Sequence, residues 1–413
     1  MGSINIDNTG SGGAITLSSD GTSLLLGGSA VGGSPDLYAE NYDGTSTLPS
    51  ATGTNAISIG ANSSTSGNNG VAIGRYSSAG NTCIALGYSA IASSGGGIAI
   101  AGNATANSSA GGAVAIGRSN ASGIGSIGIS QGGSTALAGT ASGNYSAAIG
   151  MNSTPAASVA TGVGAMALGG SYASGTDSFA AAIDNNTSTY GAQGANSIAI
   201  GRQAKALGGY GLALGAFANA TATDSVAIGR TPTASGTSSI VLGNQSSATR
   251  SNSMALGKYA EADIDGKIAF AVHGFSTTKK TSQNGKHILV SDTTDATAEP
   301  LTTTNASPTF YNQVSLNNNS AFAFHGTIVA RESAADGTDC AAWKIEGLIR
   351  REGTAATTTL VNSATTVLDN TPSWGMALSA DTTNGCLKIE VTGAASTNIR
   401  WVATIETSEV IYA

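Results

Sequence analysis

The chain has 413 residues, of which 58 are glycine, 10% are charged and 5% aromatic; 17 lysines and arginines stand against 24 aspartates and glutamates, a net charge of −7. That balance excludes nucleic acid as a partner, because phosphate binding needs concentrated Lys and Arg. Apolar residues reach 40% and are mostly small, so a core built from them must be thin and regular.

The N-terminal "MGSINIDNTGSGG" has neither a basic n-region nor an apolar h-region, so no signal peptide is expected. No apolar run approaches the ~18 residues of a membrane helix, and no membrane insertion is expected. "INI" and "SLLLGG" are strand signals within residues 1–50, which read as a separate N-terminal segment.

Residues 51–270 read as a repeat. Gly201, Gly215, Gly229, Gly243 and Gly257 follow one another at a step of 14, and the apolar pairs before them keep that step. Ile198 and Ile200, Leu212 and Leu214, Val226 and Ile228, Ile240 and Leu242, Met254 and Leu256 are the candidate core columns. A period-2 pair inside a period-14 unit means one short β-strand per unit. A second short strand follows each glycine, as at Ala204 and Ala206, and glycine serves the tight corners. Stacked units of this kind make a parallel β-roll of roughly 15 rungs, about 70 Å long at the ~4.8 Å strand spacing. The register loosens upstream of Gly169, and residues 129–147 and 170–196 are expected to project as loops.

Ala199, Ala213 and Ala227 lie between the paired residues, so both strand faces are apolar and both need burial. One face fills the roll; the other needs a partner, and three identical chains about a common axis would supply it. The sequence leaves open which face meets the axis.

The 14-residue step ends near Ala271. Residues 271–320 are expected to be a β-rich connector, with strands at Lys286–Ser291 and Asn312–Leu316, and 321–413 a separate antiparallel β-sandwich-like domain. Its candidate strands are 321–332, 341–352, 357–370, 374–381, 386–394 and 399–413, with "TTNG" at 382–385 as a turn. Trp343, Trp374 and Trp401 fall here and read as core rather than sugar platforms. Cys83, Cys340 and Cys386 are far apart with no metal-ligand spacing; all three are expected to be buried free thiols, with a Cys340–Cys386 pair inside the C-terminal region as the alternative.

Chemistry-bearing patterns are sparse. "GIGSIG" at 123–128 matches G-x-G-x-x-G, but no helix pattern follows, so Gly123, Gly125 and Gly128 read as a ladder turn and no cofactor is expected. Glycoside hydrolysis needs two carboxyls. Residues 57–260 offer only Asp177, Asp184 and Asp224, read as turn residues. Glu332, Asp336 and Asp339 surround a "DGTD" turn and read as a solvated loop. Arg75, Arg118, Arg202 and Arg230 follow the "IG" glycine and should form an outer, solubilising corner stripe. His273, His287 and His325 have no clustered partners, and no metal is expected.

"SIAIG…AKALG…LALG…ANATATDSVAIG" resembles the head repeats of trimeric autotransporter adhesins. That resemblance implies a left-handed parallel β-roll in a homotrimer; such repeats also occur in tailed-phage fibres. "TTDATAEPLTT", "AFHGTIVARESAADGT", "AAWKIEGLIRREGT", "SADTTNGCLKIEVTGA" and "NIRWVATIETSEV" resemble the C-terminal region of fibre and virion structural proteins of marine tailed phages, the cyanophage type above all. The two resemblances imply an all-β, non-enzymatic homotrimeric fibre, assembled in the host cytoplasm and carried on the virion. Residues 1–50 would join a virion attachment protein, and the C-terminal domain would touch a host-surface glycan or protein through residues the sequence does not identify. A head or neck decoration is the alternative, and a polysaccharide depolymerase a lesser one.

Overall fold

Glycine and alanine at a fixed step build turns that stack. A computed structural model describes residues 47–412 apart from 94, 109–110, 131–138, 151–156, 182–188, 276, 334–338 and 371, with the backbone of four strands before residue 32. The repeat region is a parallel β-solenoid of about 14 turns, each of about 14 residues. The chain divides into two compact units, Met1–Ala148 and Ile149–Ala413.

In the first unit, strands Ile4–Ile6, Ile15–Ser19, Leu24–Leu26 and Ser29–Val31 pair antiparallel in chain order. The solenoid strands then pair in parallel, Ile57 with Val71, Ile84, Ile98, Val114 and Ile127 in succession, at steps of 14, 13, 14, 16 and 13. In the second unit the column runs Met166, Phe179, Ile198, Leu212, Val226, Ile240, Met254, Ile268. A second sheet of two-residue strands stacks alongside, Lys205 on Asn219, Thr233, Ser247 and Glu261.

Each turn bends at two corners where a non-glycine residue takes a left-handed backbone: Asn196 and Gln203, Tyr210 and Phe217, Asp224 and Thr231, all with φ between 53° and 59°. Such residues are uncommon in that region, and here the same left-handed position recurs from turn to turn. At Gly208 a Cβ would lie 1.9 Å from the Ala222 carbonyl oxygen of the next turn, so stacking itself requires glycine there. Two expected loops hold more structure than projected. Gly139–Ala141, Tyr172–Ala173, Phe179–Ala181 and Gly191–Ala192 are solenoid strands inside 129–147 and 170–196, and the remainders at 131–138 and 182–188 lie outside the described residues.

After Ile268–Ala271 the chain reverses. Ser282–Thr293 pairs antiparallel with that last solenoid strand and, along its whole length, with Ile399–Ile411. Ser320–Glu332, Cys340–Arg351 and Thr359–Asp369 extend the sheet. A second sheet centres on Cys386–Thr392, with Gly375–Asp381 on one side and Ala298–Pro300 and Val314–Ser315 also paired to it. The expected connector is therefore part of the sandwich, which starts at Ser282 rather than 321. Its first strand meets its partner more than a hundred residues later, beyond the reach of a local pattern. The strands foreseen between 321 and 413 match the observed ones to within two residues at each end.

Between the sheets lie Phe322, Phe324, Ile328, Ile345, Ile349, Leu387, Ile389, Ile405 and the three tryptophans. Trp343 stacks on Trp401 at 5.7 Å, Trp374 tilts against it at 5.8 Å, and Trp401 Nε1 donates to Thr293 Oγ1 at 2.9 Å. The tryptophans are core, as expected. Cys83, Cys340 and Cys386 are free thiols, with Cys340 exposed. Burial pushes the Cys386 thiol up.

Candidate functional site

The solenoid interior is narrower than the apolar pairs suggested. Ala199, Ala213, Ala227, Val241, Ala255 and Ala269 face inward and are fully buried. The preceding small residues Ser197, Ser225, Ser239 and Ser253 are buried with them. Ser197, Ser225 and Ser253 return their hydroxyls to the carbonyl three residues back, each at 2.6 Å. Ala206, Ala220, Ala234 and Ala248 close the opposite wall.

Alternation then puts the ten candidate core columns outside. Ile198 and Leu214 are 39% exposed and Leu242 is 42% exposed. Ile200, Leu212, Val226, Ile228, Ile240, Met254 and Leu256 are half-buried. The expectation that these residues fill the roll is corrected: two facing sheets lined with alanine leave no width for isoleucine. Contiguous apolar surface of this kind marks an interaction site. The first unit carries its own strip, with Ile57, Ile73, Ile84, Ile100 and Ile127 exposed.

The corners carry the expected arginines. Arg75, Arg202 and Arg230 are exposed and Arg118 half-buried. Arg75 lies over the Tyr76 ring at 4.8 Å, and Tyr76 meets Tyr88 edge-on at 5.8 Å. Arg202 covers Phe217 at 5.3 Å. Asp177 and Asp224 hold left-handed corners with φ of 52° and 57°, as turn residues should. Asp184 and Asp336 lie outside the described residues. Gly123 and Gly125 form a solenoid corner and Gly128 sits in the following strand, so "GIGSIG" is a ladder turn.

The least expected feature is a buried polar junction where the last turn meets the sandwich. Position 267 continues the inward column of Ser225, Ser239 and Ser253, but it is lysine. Lys267 is fully buried and its ammonium lies 2.8 Å from Glu409 Oε1. Gln283 Nε2 donates to Glu409 Oε2 at 2.7 Å, and Thr407 Oγ1 donates to Glu409 Oε1 at 2.7 Å. Gln283 also accepts from the Glu261 N–H at 2.9 Å and donates to the Glu261 carbonyl at 3.1 Å. Its side-chain amide thus pairs the open end of the second sheet, where a strand edge would otherwise be left bare. Gly285 makes room for this arrangement, since a Cβ there would come 2.2 Å from Glu409 Oε1.

Burial pushes the Glu409 carboxyl up, but Lys267 outweighs it and holds the group below the usual carboxylate range. Asp263 behaves alike: burial raises it, and Lys280 and Lys267 bring it down. Lys267 is drawn down by burial and carried above its ordinary value by Glu409 and Asp263. His287 is fully buried with neither ring nitrogen hydrogen-bonded, and burial, then Lys267, press its pKa to about 3. Of the other histidines, His325 is exposed 3.7 Å from Glu406, and His273 stands edge-on to Tyr259. Sequence reasoning singled out His287 and missed Lys267, Glu409, Asp263 and Lys280. The available signal was lysine at 267, in a column otherwise of small residues such as Cys83, Ala165, Ser197, Gly211 and Ser253.

The outer face of the long sandwich sheet is the remaining candidate surface. Val290, Val402, Val329 and Ala342 form one row across four strands, and Lys286, Glu406, His325 and Glu346 another. An open cleft of about 540 Å³ lies at its edge, lined by Asn319, Ser320, Arg350, Arg351, Glu352 and Tyr412 among others.

Residues 51–77, 192–218, 206–230 and 234–260 match the YadA head domain repeat. No curated protein matches the chain. Among solved structures, the tailspike protein gp49 of Acinetobacter baumannii bacteriophage Fri1, a capsular polysaccharide depolymerase, is 7% identical with a TM-score of 0.23, over 85% of this chain and 59% of its own length. The tailspike protein of Acinetobacter baumannii phage AM24 is 9% identical with a TM-score of 0.19, over 89% of this chain and 69% of its own. This chain therefore spans less than two thirds of the first. The repeat match makes the solenoid adhesin-like; the two superpositions are too poor to add to it.

Proposed function

We propose that this chain is the protomer of a homotrimeric fibre or spike on a tailed-phage virion, a stiff shaft that presents the C-terminal sandwich to a host surface. The observation that carries the reading is the outward strip of paired isoleucine and leucine, two per turn, around an interior already closed by alanine. Apolar columns in register with the solenoid step fit copies of the same solenoid, whose columns share that spacing. Covering the remaining exposed area of one such side chain contributes about 1 kcal/mol, and the contribution recurs every turn.

Three identical chains turn this strip into the fibre's axis, and the adhesin-like repeat and the C-terminal resemblance to marine phage fibre proteins support that geometry. The N-terminal residues would join the virion. The sandwich's outer face and its cleft at Arg350 and Tyr412 would contact a host glycan or protein, three weak sites on one shaft raising avidity. The function is attachment rather than turnover, since Asp177 and Asp224, the described carboxylates of residues 57–260, are committed to corners.

Sedimentation equilibrium tests the core of the reading. A mass near three times the 40.2 kDa chain is expected, and a stable monomer overturns it. Electron microscopy of virions labelled on this chain separates a tail fibre from a head or neck decoration. Shortened chains after incubation with host envelope polysaccharide would sink the attachment-only reading.

A further inference from the structure

One element of the buried junction is unused by the ion pair that closes the solenoid. Lys280 lies just before the first sandwich strand, with its side chain 3% exposed. Its ammonium touches two side chains from separate segments, the Asp263 carboxylate of the last solenoid turn and Asn317 Oδ1, at 2.7 Å, just before Ser320–Glu332. All three segments are pinned. The Lys280 N–H donates to the Tyr259 carbonyl at 2.8 Å, and the Asn317 carbonyl accepts from Ser320 Oγ at 2.6 Å. Tyr259, Ile264 and Leu316, which neighbour the three, are buried.

Asp263 alone would satisfy the charge of Lys280. An amide held against the same ammonium adds an electrophilic carbon beside a desolvated amine and a carboxylate that can take its proton. Among the described residues Asp263 is the carboxylate that touches the Lys280 ammonium, and so the group placed to take its proton. Fixed proximity makes such intramolecular reactions fast without a cofactor.

We propose that Lys280 and Asn317 are joined by an autocatalytic isopeptide bond, with Asp263 as the proton carrier. Asp263 takes a proton from the Lys280 ammonium, and the freed Nζ lone pair attacks Asn317 Cγ. The tetrahedral centre collapses as the Cγ–Nδ2 bond breaks, Nδ2 leaves as ammonia with the proton that Asp263 returns, and Asp263 takes the second Nζ proton, leaving a neutral Nζ–Cγ amide beside a protonated carboxyl. No oxidant or co-reactant enters. The bond spans 37 residues and ties the entry of the sandwich to the stretch leading into Ser320–Glu332. A shaft loaded by a bound host would then hold at its junction even when the non-covalent network opens.

Intact-mass spectrometry of the purified full chain tests this directly. The wild type is expected about 17 Da below its sequence mass, the mass of ammonia, and its tryptic digest should contain a branched peptide joining Lys280 to Asn317. Lys280→Arg and Asn317→Ala should each return to their own sequence mass. An unmodified wild-type mass overturns the proposal without any variant having to fold. A loss of about 18 Da with a Lys280–Asp263 branched peptide overturns it too, making Asp263 the electrophile. A 17 Da loss that persists in Lys280→Arg reports a succinimide at Asn317 and likewise rejects the cross-link.

Discussion

One solenoid turn of the C-terminal unit buries Ser197, Ala199, Ala204 and Ala206, four small side chains against one another. The adjoining sandwich buries Trp343 and Trp401, from neighbouring rows of one sheet, in one stack. The solenoid is held by backbone pairing from turn to turn, with side chains serving as spacers. The sandwich is held by the large apolar surfaces between its sheets, brought together by strands distant in sequence. Because the two regions are built on different interior widths, they cannot share a core. Lys267, Glu409, Gln283 and His287 fill the seam, a polar cap where neither packing rule applies.

The largest effect should come from unbalancing that seam. Glu409→Ala leaves the Lys267 ammonium buried without its main partner, and removing one member of a buried pair costs about 3–5 kcal/mol. Chemical denaturation of the variant should show that loss. Replacing both partners, Lys267→Met with Glu409→Leu, should cost much less, since no charge is stranded. Equal losses in the two variants would show that the seam works by shape and not by charge compensation.

Widening the solenoid should come next. Ala227→Leu forces an isobutyl group between walls of Ala and Ser, and overpacking costs about 1–3 kcal/mol, here near the top because rigid backbone bounds the space on both sides. A Leu substituted in the sandwich at a half-buried position such as Ala380 should be far milder. If the two were alike in unfolding midpoint, the solenoid interior would be more yielding than its alanine columns imply.

The seam also makes the junction acid-sensitive. His287 has a folded pKa of about 3 against an unfolded value near 6.5, so the unfolded chain binds its proton first as pH falls. Stability is therefore fully present above pH 6.5 and is lost progressively as pH falls toward 3. At pH 5 the expected loss is about 2 kcal/mol relative to neutral pH. Glu409 and Asp263, both held below their ordinary values, act in the same direction but start only below the ordinary carboxylate pKa. His287→Phe should flatten thermal-melting midpoints between pH 7 and 5 while keeping the steeper fall below. An unchanged profile would mean that His287 is not buried neutral.

Much of this was legible in the residues. The step of 14 between Gly201 and Gly257 announced the stacked turns, and alternation from Ala321 to Ala413 placed the sandwich strands almost to the residue. Sidedness was not legible, because Ile198 and Ala199 are both apolar and only the spacing of the two sheets decides which fits inside. Nor could local pattern reveal that Gln283 and Lys280 sit beside Glu409 and Asn317. The first contact depends on pairing between Ser282–Thr293 and Ile399–Ile411, more than a hundred residues apart, and the second joins segments 37 residues apart.

The smallest effect on a single chain should come from the outward strip, and there the comparison between regions is sharpest. Leu214 is 39% exposed, so Leu214→Ser should alter the stability of an isolated chain by no more than about 0.5 kcal/mol. The buried Ala213 beside it has no such freedom, and Ala213→Leu should behave like the substitution at Ala227. If three chains bury the strip, Leu214→Ser with Leu242→Ser removes six leucines from each trimer, each contributing about 1 kcal/mol because it is already more than half covered, and should shift sedimentation from trimer toward monomer. A variant that unfolds like wild type yet fails to assemble assigns the Ile and Leu columns to the subunit interface. A variant that assembles normally would move that interface to another face of the turn and leave the strip free for a different partner.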